Sequence, residues 1–323
     1  MKFKIEVTED DQDYIFSRFS DIFATSVWTE GKYIKEFEER FGSYVGVESV
    51  ATNSWAGAAI ALLEYIDVRD QTVLVPSNTF MASVLAPMKA GANVEFADCN
   101  KYDLCMSAED LELKIKKYRP KVAMVVHIGG HIAFDIFDIR EICEKYNVIL
   151  IEDCAHAHGA EYKGIKAGNF GLAGIYSFYP TKTMTTGEGG MLVTRDKKLI
   201  EFARKYRNYG KFDYEVKGLN YRMNEFTAVL GIWQLEKLPE IVKWKQEKAK
   251  EYNKIYKNRV MLPEGMASGY YKYIVFDPIE NSTGKVYDQP CHKIMKKEYE
   301  LPNSDWVATN HWCVPLYYKG DEE

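Results

Sequence analysis

Between residues 48 and 196 the chain alternates short, nearly continuous apolar runs with amphipathic stretches. No other feature of the sequence limits its fold as strongly. "ESVATNS" (48–54) reads as a strand and "WAGAAIALLEYI" (55–66) as a helix. "QTVLVPSNT" is a second strand, followed by the helix "FMASVLAPMKAG", which should end at Gly91. "NVEFADC" is the next strand, and Ser107 can then cap the helix "AEDLELKIKKY", with Asp110 three residues on. "KVAMVVHI" and "NVILIED" are further β-rich runs with the helix "IFDIREICEKYN" between them. "AGIYSFYP" and "GEGGMLVTRD" add two strands in quick succession. Continuous apolar strands separated by helices imply a mostly parallel sheet covered on both faces, an α/β fold.

The character changes after "RNYGK". Residues 224–258 form one long helical pattern, interrupted by Pro239, and beyond it "YYKYIVFDP" and "HWCVPLYY" are short strand candidates in an irregular segment. This predicts a large domain over residues 1–240 and a small α+β domain over 241–323. The amphipathic residues 10–45 are expected near the small domain. A net charge of −5 with no basic block argues against nucleic acid as a partner. No apolar run reaches the roughly 20 residues of a membrane helix, and the acidic N-terminus lacks a signal-peptide core. The six cysteines (99, 105, 143, 154, 291 and 313) form no CxxC pair, as expected of reduced thiols in the cytoplasm.

Open α/β sheets bind ligands beyond the carboxyl ends of their strands, so the residues after each apolar run are the ones to read. Asp153 ends "VILIED". Lys182 lies 29 positions later in "SFYPTKTMTTGEGG", a bed of hydroxyls and glycines nearly free of charge. An acid at one strand end and a lysine two elements on are the parts of a pyridoxal phosphate site. There the lysine forms the Schiff base and the acid pairs with the pyridinium nitrogen. A niche poor in water and carboxylates lowers the lysine pKa, and attraction to Lys182 should keep Asp153 ionised. Ser177 can donate to the cofactor phosphate. "NSWAGAA" ends a strand and opens a helix, so its backbone N–H groups can hold a dianion, and Phe80 can stack on a ring. Each feature alone has a plainer reading: strand-end hydrogen bonding for Asp153, a surface loop for Lys182, an N-cap for Asn53 or Ser54, a core aromatic for Phe80. Their co-occurrence is the signal.

"IEDCAHAHGAEYKG", "SFYPTKTMTTGEGG", "RNYG" and "GLNYRMNEFTAVLGIWQLEKL" resemble, in order, the DegT/StrS-type sugar aminotransferases, fold-type-I pyridoxal phosphate enzymes that aminate keto groups on nucleotide-linked sugars. The likeness runs from about residue 30 to 240 and more loosely to "HWCVPLYY". It implies that Lys182 is the Schiff-base lysine, Asp153 the pyridinium partner and His156 a contact to the cofactor ring. It implies that Phe80 stacks on that ring, and that Trp55, Ala56 and Ser177 bind phosphate. Asn220 matches an asparagine that reaches the phosphate of a neighbouring subunit, which implies a homodimer with shared sites. His292 roughly matches a substrate-side histidine. Glutamate is the implied amino donor, a nucleotide-linked keto-sugar the acceptor, and surface polysaccharide or glycan synthesis the setting.

Three departures stand out. Trp55 replaces a common threonine, the chain ends at "KGDEE" where relatives continue into a helix, and residues 256–300 look compressed. Two rival activities fit some of the same residues. A metal hydrolase would use Asp153, His156 and His158 with His127, which leaves Lys182 and "GEGG" without purpose. A nucleotide-sugar dehydratase of the same fold typically lacks the lysine that is present here. A relative without turnover would not need the Lys182, Asp153 and His156 set intact.

Overall fold

In a computed structural model of the chain, which describes residues 6–318, two amphipathic helices come first, α1 (Glu9–Thr25) and α2 (Lys32–Val45). Thr8 and Asp11 close a capping box at the start of α1, each accepting a hydrogen bond from the other's backbone N–H. The alternating region follows as β1 (Glu48–Thr52), α3 (Trp55–Ile66), β2 (Thr72–Pro76), α4 (Ala82–Lys89), β3 (Asn93–Ala97), α5 (Ala108–Tyr118), β4 (Val122–Val126), α6 (Ile136–Tyr146) and β5 (Ile149–Asp153). The hairpin of β6 (Glu161–Tyr162) and β7 (Ile165–Lys166) precedes β8 (Ala173–Ser177), β9 (Gly190–Thr194) and α7 (Lys197–Tyr206). Helix starts match the sequence signals: the side chains of Ser54, Ser107, Asp196 and Asn224 each accept first-turn N–H groups.

Seven strands form one sheet in the order β1-β9-β8-β5-β4-β2-β3. Only β9 runs against the rest, pairing antiparallel with β1 and β8. The carboxyl ends therefore share one edge. Thr52 and Ser177 both face Gly190 in register, and Val126 faces Asp153. Period-two alternation sends Leu150 and Tyr176 into the core on one face, and Ile151 and Ile175 into the core on the other.

Helix α8 (Glu225–Ile255) spans 31 residues and passes through Pro239 without a break. The sequence suggested an interruption there. Buried Leu235, Leu238 and Ile241 flank the proline. At about 1.5–3 kcal/mol for each such side chain, they outweigh a proline cost of ~3 kcal/mol. The expected domain boundary near residue 240 thus falls inside a continuous helix. The N-terminal helices pack on the part of α8 before that point. Asp11 accepts Trp233 Nε1 at 2.8 Å and pairs with Lys237 at 2.9 Å, and Phe37 lies so close to Gly231 that a Cβ there would meet its ring at 2.5 Å. Beyond α8 come β10 (Met266–Ala267), β11 (Tyr273–Val275), α9 (Cys291–Ile294), α10 (Pro302–Thr309) and β12 (Trp312–Val314). β11 and β12 form an antiparallel pair over a small core of Ala249, Tyr273, Val275, Val314 and Leu316. "KGDEE" lies outside the described residues. No described helix is long and apolar enough to cross a membrane.

Candidate active site

A cavity of about 770 Å³ opens at the shared strand edge, lined by the first turn of α3, the β2–α4 loop, the end of β5, the loop after β8 and the segment around Tyr271 and Tyr287. Trp55, Ala56, Phe80, Asp153, His156, Ser177 and Lys182 all line it. Seven of the nine residues expected to contact cofactor or substrate, spread over 128 positions, thus meet in one place.

Asp153 sits at its floor. Oδ1 accepts hydrogen bonds from Trp55 Nε1 and the Ala155 N–H, both at 3.0 Å, and Oδ2 accepts from Ser83 Oγ at 2.8 Å. Burial pushes its pKa up from the usual carboxylate value. The three donors and the Lys182 charge act in the opposite sense without reversing the direction. The sequence led to the expectation that attraction to Lys182 keeps Asp153 ionised; that attraction acts in the expected sense, and desolvation is the larger effect. Trp55 is also more than a backbone donor, because its indole turns inward to Asp153. Its first-turn N–H and that of Ala56 have no acceptor within the helix, which leaves an anion-receptive end at the cavity wall.

Lys182 Nζ stands 5.0 Å from the centroid of the Tyr271 ring. Burial pushes its pKa down to about 8, with Asp153 opposing and Lys272 adding to the shift. The neutral amine therefore becomes available at a lower pH than an exposed lysine requires. The hydroxyl-rich loop around it is pinned by Thr185, whose Oγ1 donates to the Phe178 carbonyl at 2.8 Å and accepts the Gly187 N–H at 3.0 Å.

His156 stacks on Tyr271, ring centroids 4.1 Å apart, and lies 3.5 Å from the Tyr287 hydroxyl. Burial, then Lys182 and Lys272, hold its pKa well below the ordinary value, so the ring is neutral. Its buried Nδ1 has no hydrogen-bond partner among the described residues. Phe80 is 64% exposed on the cavity rim, unlike a core aromatic.

Two expected residues are not brought here. His292 is buried in α9, with Nδ1 2.7 Å from Ser77 Oγ and Nε2 3.4 Å from Asp305, and it does not line the cavity. The short α9 turns the imidazole back toward the β2–α4 loop, which corrects its placement on the substrate side. Asn220 is exposed and its Oδ1 accepts the Arg222 N–H at 3.2 Å, outside the cavity of its own chain. The hydrolase alternative loses its ligand set. His127 bonds Glu152 at 3.0 Å through Nε2 and accepts the Ala133 N–H at Nδ1, while His158 is buried against Tyr176 and Phe178. The groups of potential ligands that converge among the described residues are Asp103, Cys105 and His131, and His127, Glu152 and Cys154. Neither holds Asp153, His156 or His158.

Sequence reasoning missed Ser83, Tyr271, Lys272 and Tyr287. Ser83 lies inside a helix with no motif around it. The other three sit in segments legible only as an apolar strand or as irregular chain.

The profile of the DegT/DnrJ/EryC1/StrS aminotransferase family matches residues 9–323. A GDP-perosamine synthase of Escherichia coli O157:H7 is 34% identical over 257 residues, covering 77% of this chain and 70% of that one. A UDP-4-amino-4,6-dideoxy-N-acetyl-beta-L-altrosamine transaminase of Campylobacter jejuni is 34% identical over 238 residues, covering 71% of this chain and 63% of its own length. A crystal structure of a DegT DnrJ EryC1 StrS aminotransferase from Brucella abortus superposes with a TM-score of 0.90 at 24% identity, covering 99% of this chain and 96% of that one. S. venezuelae DesV superposes with a TM-score of 0.89 at 25% identity, covering 95% and 90%. With a mostly parallel sheet carrying an aspartate at the end of β5 and a lysine in the loop after β8, and a family profile matched along nearly its whole length, the chain belongs to the DegT/DnrJ/EryC1/StrS aminotransferase family.

Proposed function

We propose that this chain is a pyridoxal phosphate-dependent transaminase that converts a nucleotide-linked keto-sugar to an amino-sugar, with glutamate as amino donor, as a homodimer. The observation that carries the reading is the pairing of Lys182 and Asp153 in one cavity. A lysine with its pKa near 8 faces a buried aspartate across a space large enough for a cofactor and a sugar. The donor set suits pyridoxal phosphate: free first-turn N–H groups of α3 and Ser177 for the phosphate, Asp153 for the ring nitrogen, and the neutral His156 and exposed Phe80 for the ring. The names of the relatives favour nucleotide sugars as the acceptor class.

When bound, pyridoxal phosphate supplies an electron sink for the carbon that loses its proton. Lys182 Nζ would take the proton from the donor's α-carbon and pass it to the cofactor, and in the second half would carry a proton from the cofactor to the sugar carbon that receives the amine. Asp153 holds the ring nitrogen protonated, and its three donors fix its orientation. The donor leaves as a 2-oxo acid before the sugar enters. Asn220 from a second copy completes the phosphate site. The lysine argues for transfer over dehydration.

The test is direct. Borohydride reduction of the purified protein should leave the cofactor on the peptide containing Lys182. In a separate, unreduced sample, glutamate should generate an aminated enzyme that converts members of a nucleotide keto-sugar panel to amino-sugars. Label on another lysine, or loss of a sugar hydroxyl instead of gain of an amine, would overturn the proposal.

A further inference from the structure

The cavity holds three lysines, and they differ in what their charges face. Lys182 acts on Asp153. Lys285 donates to the carbonyls of Thr309 and His311 at 2.7 and 2.8 Å. The Lys272 ammonium has no hydrogen bond and no carboxylate partner among the described residues, although burial lowers its pKa and makes an uncommitted charge costly. Its ammonium lies 5.3 Å from the Tyr271 centroid, over the same ring that Lys182 approaches at 5.0 Å.

The backbone that presents Lys272 is held firmly. Its N–H donates to the Gly129 carbonyl at 2.9 Å, and the Gly269 N–H and Ser268 Oγ both donate to the Gly130 carbonyl at 2.8 Å. Gly130 has φ +104°, and a Cβ there would lie 2.3 Å from the Tyr271 nitrogen. The turn after β4 thus clamps residues 268–272 backbone to backbone, and Tyr271 is further fixed by Thr181 at 3.2 Å and by the His156 ring. Lys272 also borders a smaller recess of about 120 Å³ behind Lys182, where Thr183 Oγ1 is buried without a hydrogen-bond partner.

We infer that Lys272 recognises a carboxylate of the amino-acid donor and so sets donor specificity. This rests on the transaminase reading above. A donor whose amine meets the reacting position at Lys182 carries its carboxylates only a few bonds away. A nucleotide diphosphate is separated from the reacting keto carbon by a sugar ring and must reach toward the open rim. The recess is itself lined by Asp11 and Glu240, so it is the side of Lys272 facing the main cavity, beside Lys182, that suits the shorter ligand.

The experiment uses the holoenzyme. In Lys272→Gln the glutamate concentration for half-maximal conversion to the aminated form should rise about ten- to a hundredfold, as expected for loss of a charged hydrogen bond. Lys272→Arg should restore most of it. Calorimetry with glutarate should show binding to wild type that Lys272→Gln loses, while GDP and UDP binding should change less than about threefold. An unchanged glutamate response overturns the inference. So does a loss of GDP or UDP binding equal to or greater than that of glutarate. A wild-type enzyme that releases no 2-oxo acid from glutamate sinks the donor reading instead, and glutarate binding then still decides the role of Lys272.

Discussion

Glu152 and Asp153 are consecutive on β5 and almost equally buried, yet they serve opposite ends. Glu152 points to the face covered by the 167–171 loop. It accepts the N–H groups of Gly168, Phe170 and Gly171 at 2.7–2.8 Å and bonds His127 at 3.0 Å. Three of its four partners are rigid backbone, so it ties the sheet to the chain that crosses it. Asp153 points the other way, into the cavity, and two of its three partners are side chains. The lysines form a similar contrast. Lys245 is buried in α8 with one bond, to the Tyr270 carbonyl at 3.2 Å, and burial pushes its pKa down to about 7. Lys182 is comparably shifted but faces open space. Burial of charge therefore does not distinguish structure from chemistry. What distinguishes Glu152 from Asp153 is how much of the carboxylate's bonding capacity rigid backbone already uses.

The largest effects should come from the two carboxylates, in opposite columns. Asp153→Asn should fold, because Ser83 can reverse its hydroxyl to accept from the new amide. Its half-reaction with glutamate should slow by several orders of magnitude, each factor of ten being about 1.4 kcal/mol of barrier. Glu152→Gln sets an amide donor against backbone donors in a buried network, a loss of about 3–5 kcal/mol. Its melting temperature should fall by roughly 10 °C, while the remaining folded enzyme keeps near-normal half-reaction rates. Melting curves and single-turnover rates on the same preparations decide this, and parallel losses in both variants would break the comparison.

A smaller effect should follow from Lys182 itself. Its pKa is lowered from the ordinary lysine value to about 8, so the reactive neutral amine grows as pH rises through that value. Covalent capture of pyridoxal phosphate by cofactor-free enzyme should speed up between about pH 6.5 and 8.5 and then level off. A rate still rising steeply above pH 9.5 would mean an unshifted lysine.

The smallest expected change concerns Lys245. A lysine whose folded pKa is depressed destabilises the fold fully below that pKa, and the penalty fades as pH rises toward the unfolded value. Lys245→Met should therefore shift the melting temperature, relative to wild type, more favourably at pH 6 than at pH 9, by a few degrees. A pH-independent difference would show that this lysine titrates in the fold as it does in the unfolded chain, with no depressed pKa.

The sequence was sufficient wherever the information is local. Strand-length apolar runs, capping serines at 54 and 107, and the order of motifs from Asp153 to Lys182 identified the sheet, the edge where its strands end and most of the cavity wall that those strand ends and loops form. Period-two alternation on β5 even determines that Glu152 and Asp153 must part company. Tertiary structure decided the rest. The Trp55 indole reaches Asp153 across 98 positions, and Tyr271 and Lys272 arrive only because the glycine turn at 129–130 accepts their backbone. Pro239 stays helical because the residues beside it are buried from both sides. His292, read as a substrate contact, is turned away by a short helix. Local pattern records which face of an element is apolar. It does not record which distant element will cover that face, and for the wall that carries Tyr271, Lys272 and Tyr287 that covering contact decides which side chains enter the site.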